Sequence, residues 1–211
     1  MKETELSRLQ LQKLEDGREY RNMKLEAREA TEDEMIVEGY ATTFNTPYKL
    51  WGTRNYEVWE QVDNRAFDEA DMTDVIFQYN HEGRVFARNK NGTMSVKPDM
   101  NGLFTRANLA GTDIGRQLYQ EIKDGYTDKM SFSFTVDEEE RTIREDEEKT
   151  VVLRTIKRIG KLYDVSAVSI PANDATTISA RNYSDGVIAK LQAERLERAK
   201  KIKKLKLMME V

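Results

Sequence analysis

The sequence predicts a chain that is mainly β with helices (α+β), built as an antiparallel, closed or nearly closed β-barrel with helical decoration. Three observations predict it. Short segments of alternating apolar and polar residues follow one another at close spacing, with turn dipeptides between them. One capped amphipathic helix is embedded among them. The regular β-α-β-α alternation of a doubly wound sheet is absent.

Residues 1–20 are polar and charged, with Leu6, Leu9, Leu11 and Leu14 enough for a short helix at most. Met23 to Arg28 and Met35 to Phe44 read as strands, the second ending at Asn45-Thr46-Pro47. Residues 49–73, which hold both tryptophans (Trp51 and Trp59), read as irregular or partly helical. Val75 to Tyr79, Arg84 to Arg88, Thr93 to Lys97 and Leu103 to Leu109 follow as four short strands. Gly83, Asn91-Gly92 and Asn101-Gly102 punctuate them, the last two being favoured hairpin dipeptides.

Thr112 is placed to cap a helix through Lys123, with Ile114, Leu118 and Ile122 on one stripe and Gly125 just past the end. Met130 to Val136 is a strand with Phe132, Phe134 and Val136 on one face and Ser131, Ser133 and Thr135 on the other. Asp137 to Lys149 is dominated by Glu, Asp and Arg and reads as a solvated hairpin tip or mobile loop. Val151 to Ile159 and Leu162 to Ile170 return to strand character before Pro171. Ser184 to Met209 reads as one long helix carrying eight Lys or Arg. The expected division is a polar extension over 1–22, a β-barrel domain over 23–183 and a basic helix over 184–211.

Composition narrows the function. Of the 211 residues, 34% are charged and the net charge is −4, which argues against an electrostatic nucleic-acid binder. No cysteine is present, so disulfides, thiolate metal sites and cysteine nucleophiles are excluded together. The single histidine, His81, leaves a zinc site only carboxylates for its remaining ligands, so neither metal nor cofactor is expected. No stretch has the roughly 18 apolar residues of a membrane span, and no apolar signal-peptide core follows the first residues. The expected location is the cytoplasm.

Three polar positions bear on chemistry. His81 follows an apolar strand in Tyr79-Asn80-His81-Glu82-Gly83, Ser131 opens the strand after Met130, and Asp164 interrupts the apolar strand Leu162 to Ile170. A hydroxyl is a poor nucleophile at neutral pH until a base takes its proton; an imidazole suits that task, and a carboxylate behind it fixes tautomer and orientation. The chain order His, Ser, Asp matches none of the three common hydrolase orders, but the constellation is defined by geometry. A lone histidine after a strand is more often a surface or core residue, and a hydroxyl-bearing strand face is normally just solvated. Asp164 is the least ordinary of the three, since an unpaired buried carboxylate is costly. On the residues alone, catalysis is a weak suggestion.

Four segments together resemble the tailed-phage prohead protease family. Val37-Glu38-Gly39-Tyr40-Ala41-Thr42-Thr43-Phe44 is similar to its opening strand, and Tyr79-Asn80-His81-Glu82 to its Asn-His-Asp/Glu motif. Gly102-Leu103, the helix ending at Gly125, and Met130-Ser131-Phe132-Ser133-Phe134 resemble its Gly-Leu, helix and Ser-Phe-Gly-Phe series. Leu162 to Asn173 is similar to its Leu-x-Glu-Val-Ser-x-Val-x-x-Pro-Ala-Asn block. The resemblance, over about residues 35–181, implies an assemblin-type antiparallel β-barrel surrounded by helices. It implies a serine endopeptidase that cleaves scaffold or major capsid protein precursors inside the procapsid in the bacterial cytoplasm, with a homodimer as a further implication. On it, Ser131 is the nucleophile, His81 the general base and then acid, and Asp164 the acidic member. Asp164 stands where the family has Glu, and Ser133 where it has Gly. The basic helix over 184–211 lies outside the resemblance; it either lies against the barrel or docks on acidic scaffold or a partner subunit. The competing readings are a non-enzymatic phage assembly protein on a degenerate barrel and a small β-barrel binding module.

Overall fold

The computed structural model describes residues 17–28, 31, 33–145, 149–169, 186 and 188–202. Eleven strands precede or flank one internal helix: β1 (Glu19–Lys24), β2 (Glu26–Ala27), β3 (Ile36–Thr43), β4 (Tyr48–Gly52), β5 (Tyr56–Val62), β6 (Ile76–Tyr79), β7 (Glu82–Arg88), β8 (Met94–Pro98), β9 (Gly102–Asn108), α1 (Asp113–Lys123), β10 (Lys129–Glu145) and β11 (Thr150–Val168). A second helix, α2, covers 188–202. No helix among the described residues is long and apolar enough to cross a membrane.

The strands form two sheets and do not close into a barrel, which corrects the expected architecture. In the larger sheet the order is β1-β10-β11-β5-β4, with β6 also paired to β11 and β7 to β6; the smaller runs β2-β3-β9-β8. The reason lies in where the chain changes sheet. β1 ends at Lys24, and after Leu25 the chain enters the other sheet as β2. Asn91-Gly92, expected to close a hairpin, ends a 3-10 turn (Asn89–Asn91) that carries the chain from β7 in one sheet to β8 in the other. Asn101-Gly102 does close the β8–β9 hairpin, with the Asp99 carboxylate accepting from the backbone N–H groups of Asn101 and Gly102.

β11 organises the larger sheet. One edge pairs antiparallel with β10; the other pairs parallel first with β5 (Thr150–Ile156 beside Tyr56–Val62) and then with β6 (Asp164–Ala167 beside Ile76–Tyr79). Asp137 to Glu145 is the exposed far part of the β10–β11 ladder, in keeping with a solvated hairpin tip rather than a mobile loop. Pairing with Val151 to Arg158 extends β10 as exposed strand to Glu145, and residues 146–148 lie outside the described residues. β4 and β5 likewise replace the first part of the irregular segment expected over 49–73, while Asp63 to Thr73 is irregular as expected. Their alternation is disguised because the buried face of β5 reads Val58, Glu60, Val62, with a carboxylate in a core register.

The main core lies between the two sheets. Val37, Ala41, Leu103 and Ala107 of the smaller sheet meet Phe77, Met130, Phe132, Phe134, Val165 and Ala167 of the larger, with Leu118 and Ile122 of α1 alongside. Burying each of the larger side chains among them (Val, Leu, Ile, Phe, Met) contributes roughly 1.5–3 kcal/mol. Thr112 caps α1 by accepting the Gly115 N–H at 3.1 Å, and Gly125 beyond the helix takes φ +79°, as its sequence position leads one to expect. Gly39 permits β3 to pass close to the end of β1: a Cβ there would stand 2.6 Å from the Lys24 carbonyl oxygen and from Met130 Cε. That contact accounts for the glycine in Val37-Glu38-Gly39-Tyr40. Of the long helix expected over 184–209, the described residues show helix at 186 and over 188–202; the others of that span lie outside the described residues. Leu191 packs on Val58 and Val152, and Arg195 pairs with Glu145 at 2.5 Å.

A buried charge network fastens β1 to the sheet. Glu60, fully buried, accepts from Arg21 Nε and Tyr48 OH on one oxygen (2.5 Å each), and from Arg21 Nη2 and Arg154 Nη1 on the other (2.7 Å each). Arg154 also donates to Glu19 (2.6 and 2.7 Å) and Glu139 (2.6 Å). Pairing with full hydrogen bonding offsets the several kcal/mol that each ion loses on leaving water, of order ~5. β1 begins at Glu19, within the segment expected to be a polar extension, because Glu19 and Arg21 belong to this network. Burial alone would raise the Glu19 carboxyl, but Arg154 and Arg21 hold it down to about 2.

Because the folded Glu19 titrates below its unfolded value, its contribution is present above about pH 4.5 and is lost as pH falls toward 2. By linkage that contribution is of order ~3 kcal/mol. Urea unfolding at stepped pH should show native stability falling across this window, and Glu19→Gln should flatten that fall while lowering stability at pH 7. An unchanged pH dependence in Glu19→Gln would exclude the assignment.

Candidate active site

β10 turns its two faces to different environments. Met130, Phe132 and Phe134 point into the core, the two phenylalanine rings stacked at 4.6 Å. Ser131 and Ser133 point the other way and are also fully buried. Register places Ser133 opposite Tyr20 of β1 and Asp164 of β11, and Ser131 opposite Ser166 of β11. Directly opposed residues share a sheet face, with Cβ atoms about 4.5–5.5 Å apart. One face thus gathers Tyr20, Ser131, Ser133, Asp164 and Ser166, while Val165 and Ala167 of β11 alternate into the core.

His81 is brought to this face by the turn between β6 and β7. Tyr79 pairs with Glu82, and the two residues between them, Asn80 and His81, have φ +51° and +59°. Both central residues at positive φ make the tight hairpin turn whose twist suits antiparallel strands and which usually takes Asn-Gly. Asn tolerates this region; histidine there is uncommon and costs about 1–2 kcal/mol. Several bonds hold the turn against that cost. The Asn80 N–H donates to the Ala167 carbonyl at 2.8 Å, its Nδ2 donates to Ser169 Oγ at 3.1 Å, and its Oδ1 accepts from the Ser169 N–H at 3.0 Å. Asn80 therefore clips the turn to the end of β11.

The imidazole lies buried, 3% exposed, with Nδ1 2.5 Å from Asp164 Oδ1. Ser166 Oγ donates to the same carboxylate oxygen at 2.6 Å, and the Tyr20 ring meets the imidazole edge-on, centroids 4.7 Å apart. The structure thus joins two of the three residues singled out from the sequence, His81 and Asp164, although 83 positions separate them. Ser131 stands on the adjoining strand of the same face, and neither its Oγ nor that of Ser133 makes a hydrogen bond among the described residues. A buried hydroxyl left unbonded costs roughly 1–3 kcal/mol, a cost structures tend to retain where function uses the group.

Sequence reading did not find Tyr20, Asn80 or Ser166 as site residues. Asn80 was legible in principle, since asparagine is the favoured non-glycine residue at positive φ. Ser166 was legible too, since strand alternation over Leu162 to Ile170 puts it on the face of Asp164, two residues before it; nothing in the residues around Tyr20 signals its place. Among the described residues, no group of three His, Cys, Asp or Glu side chains gathers as a metal site would require.

Fold and site together define a mainly β, α+β protein of two open sheets, with an imidazole–carboxylate pair buried on one sheet face beside a serine hydroxyl. The family model for the caudovirus prohead serine protease matches residues 21–188, and the chain belongs to that family. This membership makes it a phage capsid-maturation protease by family. None of the curated proteins matches the sequence. A solved structure titled as the bacteriophage T4 capsid assembly protease, gp21, is similar over 72% of this chain and 99% of its own, at 14% identity and a TM-score of 0.36, too low for any argument to rest on it.

Substitution at Asn80 separates the two things it supplies. Asn80→Gly keeps the positive φ and loses the side-chain clip; Asn80→Ala loses both. Asn80→Ala should unfold at lower urea than Asn80→Gly, the difference being about 1 kcal/mol. Equal midpoints would show that the turn does not need the left-handed conformation.

Proposed function

We propose that the chain is a serine endopeptidase of procapsid maturation, with Ser131 as nucleophile, His81 as general base and then acid, and Asp164 as the group that orients the imidazole. The observation that supports this most directly is the 2.5 Å contact of His81 Nδ1 with Asp164 on the sheet face that carries Ser131. A carboxylate at Nδ1 keeps the proton on that nitrogen, so Nε2 is the atom that takes the hydroxyl proton.

On this reading, Ser131 Oγ attacks the peptide carbonyl as its proton passes to His81 Nε2, and the resulting imidazolium is stabilised by Asp164. The same proton then goes to the departing amine, and water repeats the sequence in reverse to release the acyl group. Asp164 is shorter than glutamate by one methylene, but its contact with His81 Nδ1 is already direct, so the shorter arm suffices for the orienting role. The substrates proposed are scaffold and major capsid precursor segments, inside the procapsid within the host cytoplasm.

The rival reading is a non-enzymatic assembly protein on the same fold. It draws on the absence of a hydrogen bond from Ser131 Oγ among the described residues. Co-expression with the scaffold and capsid precursors of the same phage separates the two. Ser131→Ala and His81→Ala should each reduce precursor processing by roughly a thousandfold or more, Asp164→Asn should retain more activity than either, and Ser133→Ala should still process. Ser131→Ala should also be at least as resistant to urea as the native chain, since it deletes an unbonded buried hydroxyl. Processing untouched by Ser131→Ala would end the serine assignment; loss in Ser133→Ala with retention in Ser131→Ala would move the nucleophile to the next serine on that face.

A further inference from the structure

Ser166 is fully buried on β11, two residues beyond Asp164 on the same face, and opposite Ser131 in the β10–β11 register. Its hydroxyl donates to Asp164 Oδ1 at 2.6 Å, the oxygen that His81 Nδ1 meets at 2.5 Å. A carboxylate has two oxygens and can rotate about its Cβ–Cγ bond, a broad torsion that by itself does not fix which oxygen faces a neighbour. Two donors converging on one oxygen remove that freedom. A hydrogen bond to an ionised acceptor is also about twice as strong as a neutral one.

We infer that Ser166 is a positioning residue, which holds the Asp164 carboxylate in the single rotation that presents Oδ1 to His81 Nδ1. The inference rests on the proposed serine-protease reading and adds a fourth side chain to it. Ser166 touches no reacting atom; it acts through Asp164. Its place is consistent with the geometry on both sides. Val165 and Ala167, its neighbours along the strand, are locked in the core, so the backbone that carries Ser166 cannot swing. Register with Gln78 of β6 places the same backbone beside the strand that leads into the His81 turn. Asp164 from β11 and Tyr20 from β1 both face the imidazole, and Ser166 bonds the first of them.

The chain's one histidine makes the effect directly observable. With histidine labelled in 15N, the Nδ1–H proton belongs to His81 and to no other residue. In the full chain, Ser166→Ala should broaden or shift this resonance. It should lower kcat for the purified capsid or scaffold precursor by roughly ten- to a hundredfold, with KM little changed. Ser166→Thr, which retains the hydroxyl, should recover most of both. Ser131→Ala is run beside them, and urea unfolding confirms that each variant is folded. If Ser131→Ala is inactive while Ser166→Ala has the native kcat and an unaltered imidazole proton, Ser166 does not position the carboxylate and the protease reading stands. If Ser131→Ala processes normally, the protease reading falls and the imidazole resonance alone decides the role of Ser166. A loss in Ser166→Ala that Ser166→Thr matches rather than repairs, in chains equally stable to urea, would assign the residue to packing and overturn the inference.

Discussion

The pairing of β11 on both its edges is the constraint from which the candidate site follows. Parallel register with β6 sets the β6–β7 turn beside the last residues of β11, and antiparallel register with β10 sets Ser131 and Ser133 beside Ser166 and Asp164. A slip of one residue in either ladder would exchange the two faces of the strand, sending Asp164 into the apolar core and Val165 toward His81. Such a slip is strongly opposed, because Val165, Ala167, Phe132 and Phe134 are all committed to the core between the sheets. Hydrophobic burial on one face thereby fixes polar geometry on the other.

The buried ions serve the same end from a distance. Arg21 and Glu19 on β1, Glu60 on β5 and Arg154 on β11 join three strands through one cluster. β1 is an edge strand, and edge strands held by backbone bonds alone fray readily. Anchored at Arg21, it presents Tyr20 to the imidazole on one side of the sheet. Removing one ion would leave the others buried and underpaired, so the cluster is all or nothing.

The elements legible in the sequence were those whose signal is local. Thr112, the apolar stripe of α1 and Gly125 mark the helix, and the alternation around Ser131 assigns its strand faces correctly. The site was partly legible: His81 was singled out by being the sole histidine, and Asp164 by its apolar surroundings. What stayed hidden depends on partners far along the chain. β5 was missed because Glu60 breaks its apolar rhythm and is explained only by Arg21 and Arg154. The closed barrel was expected because the sequence displays strands but not where the chain leaves one sheet for the other, which here happens at Leu25, after Thr43, after Arg88 and through the segment that holds α1. Ser166 looked like one more hydroxyl until its side chain proved to bond the Asp164 carboxylate two residues before it on the same strand.

The pairing of β1 with β10 also fixes an order of events during synthesis. β1 meets its neighbour only when Lys129 to Phe134 have been made, and the carboxylate for His81 comes still later, on β11. While the chain is being translated, the β6–β7 hairpin can close by itself, but its imidazole lacks the Asp164 carboxylate. Contacts this distant in sequence form late and slowly. A nascent chain therefore carries its imidazole without the carboxylate until β11 has left the ribosome, and the buried pair is a product of the finished fold rather than of any local segment.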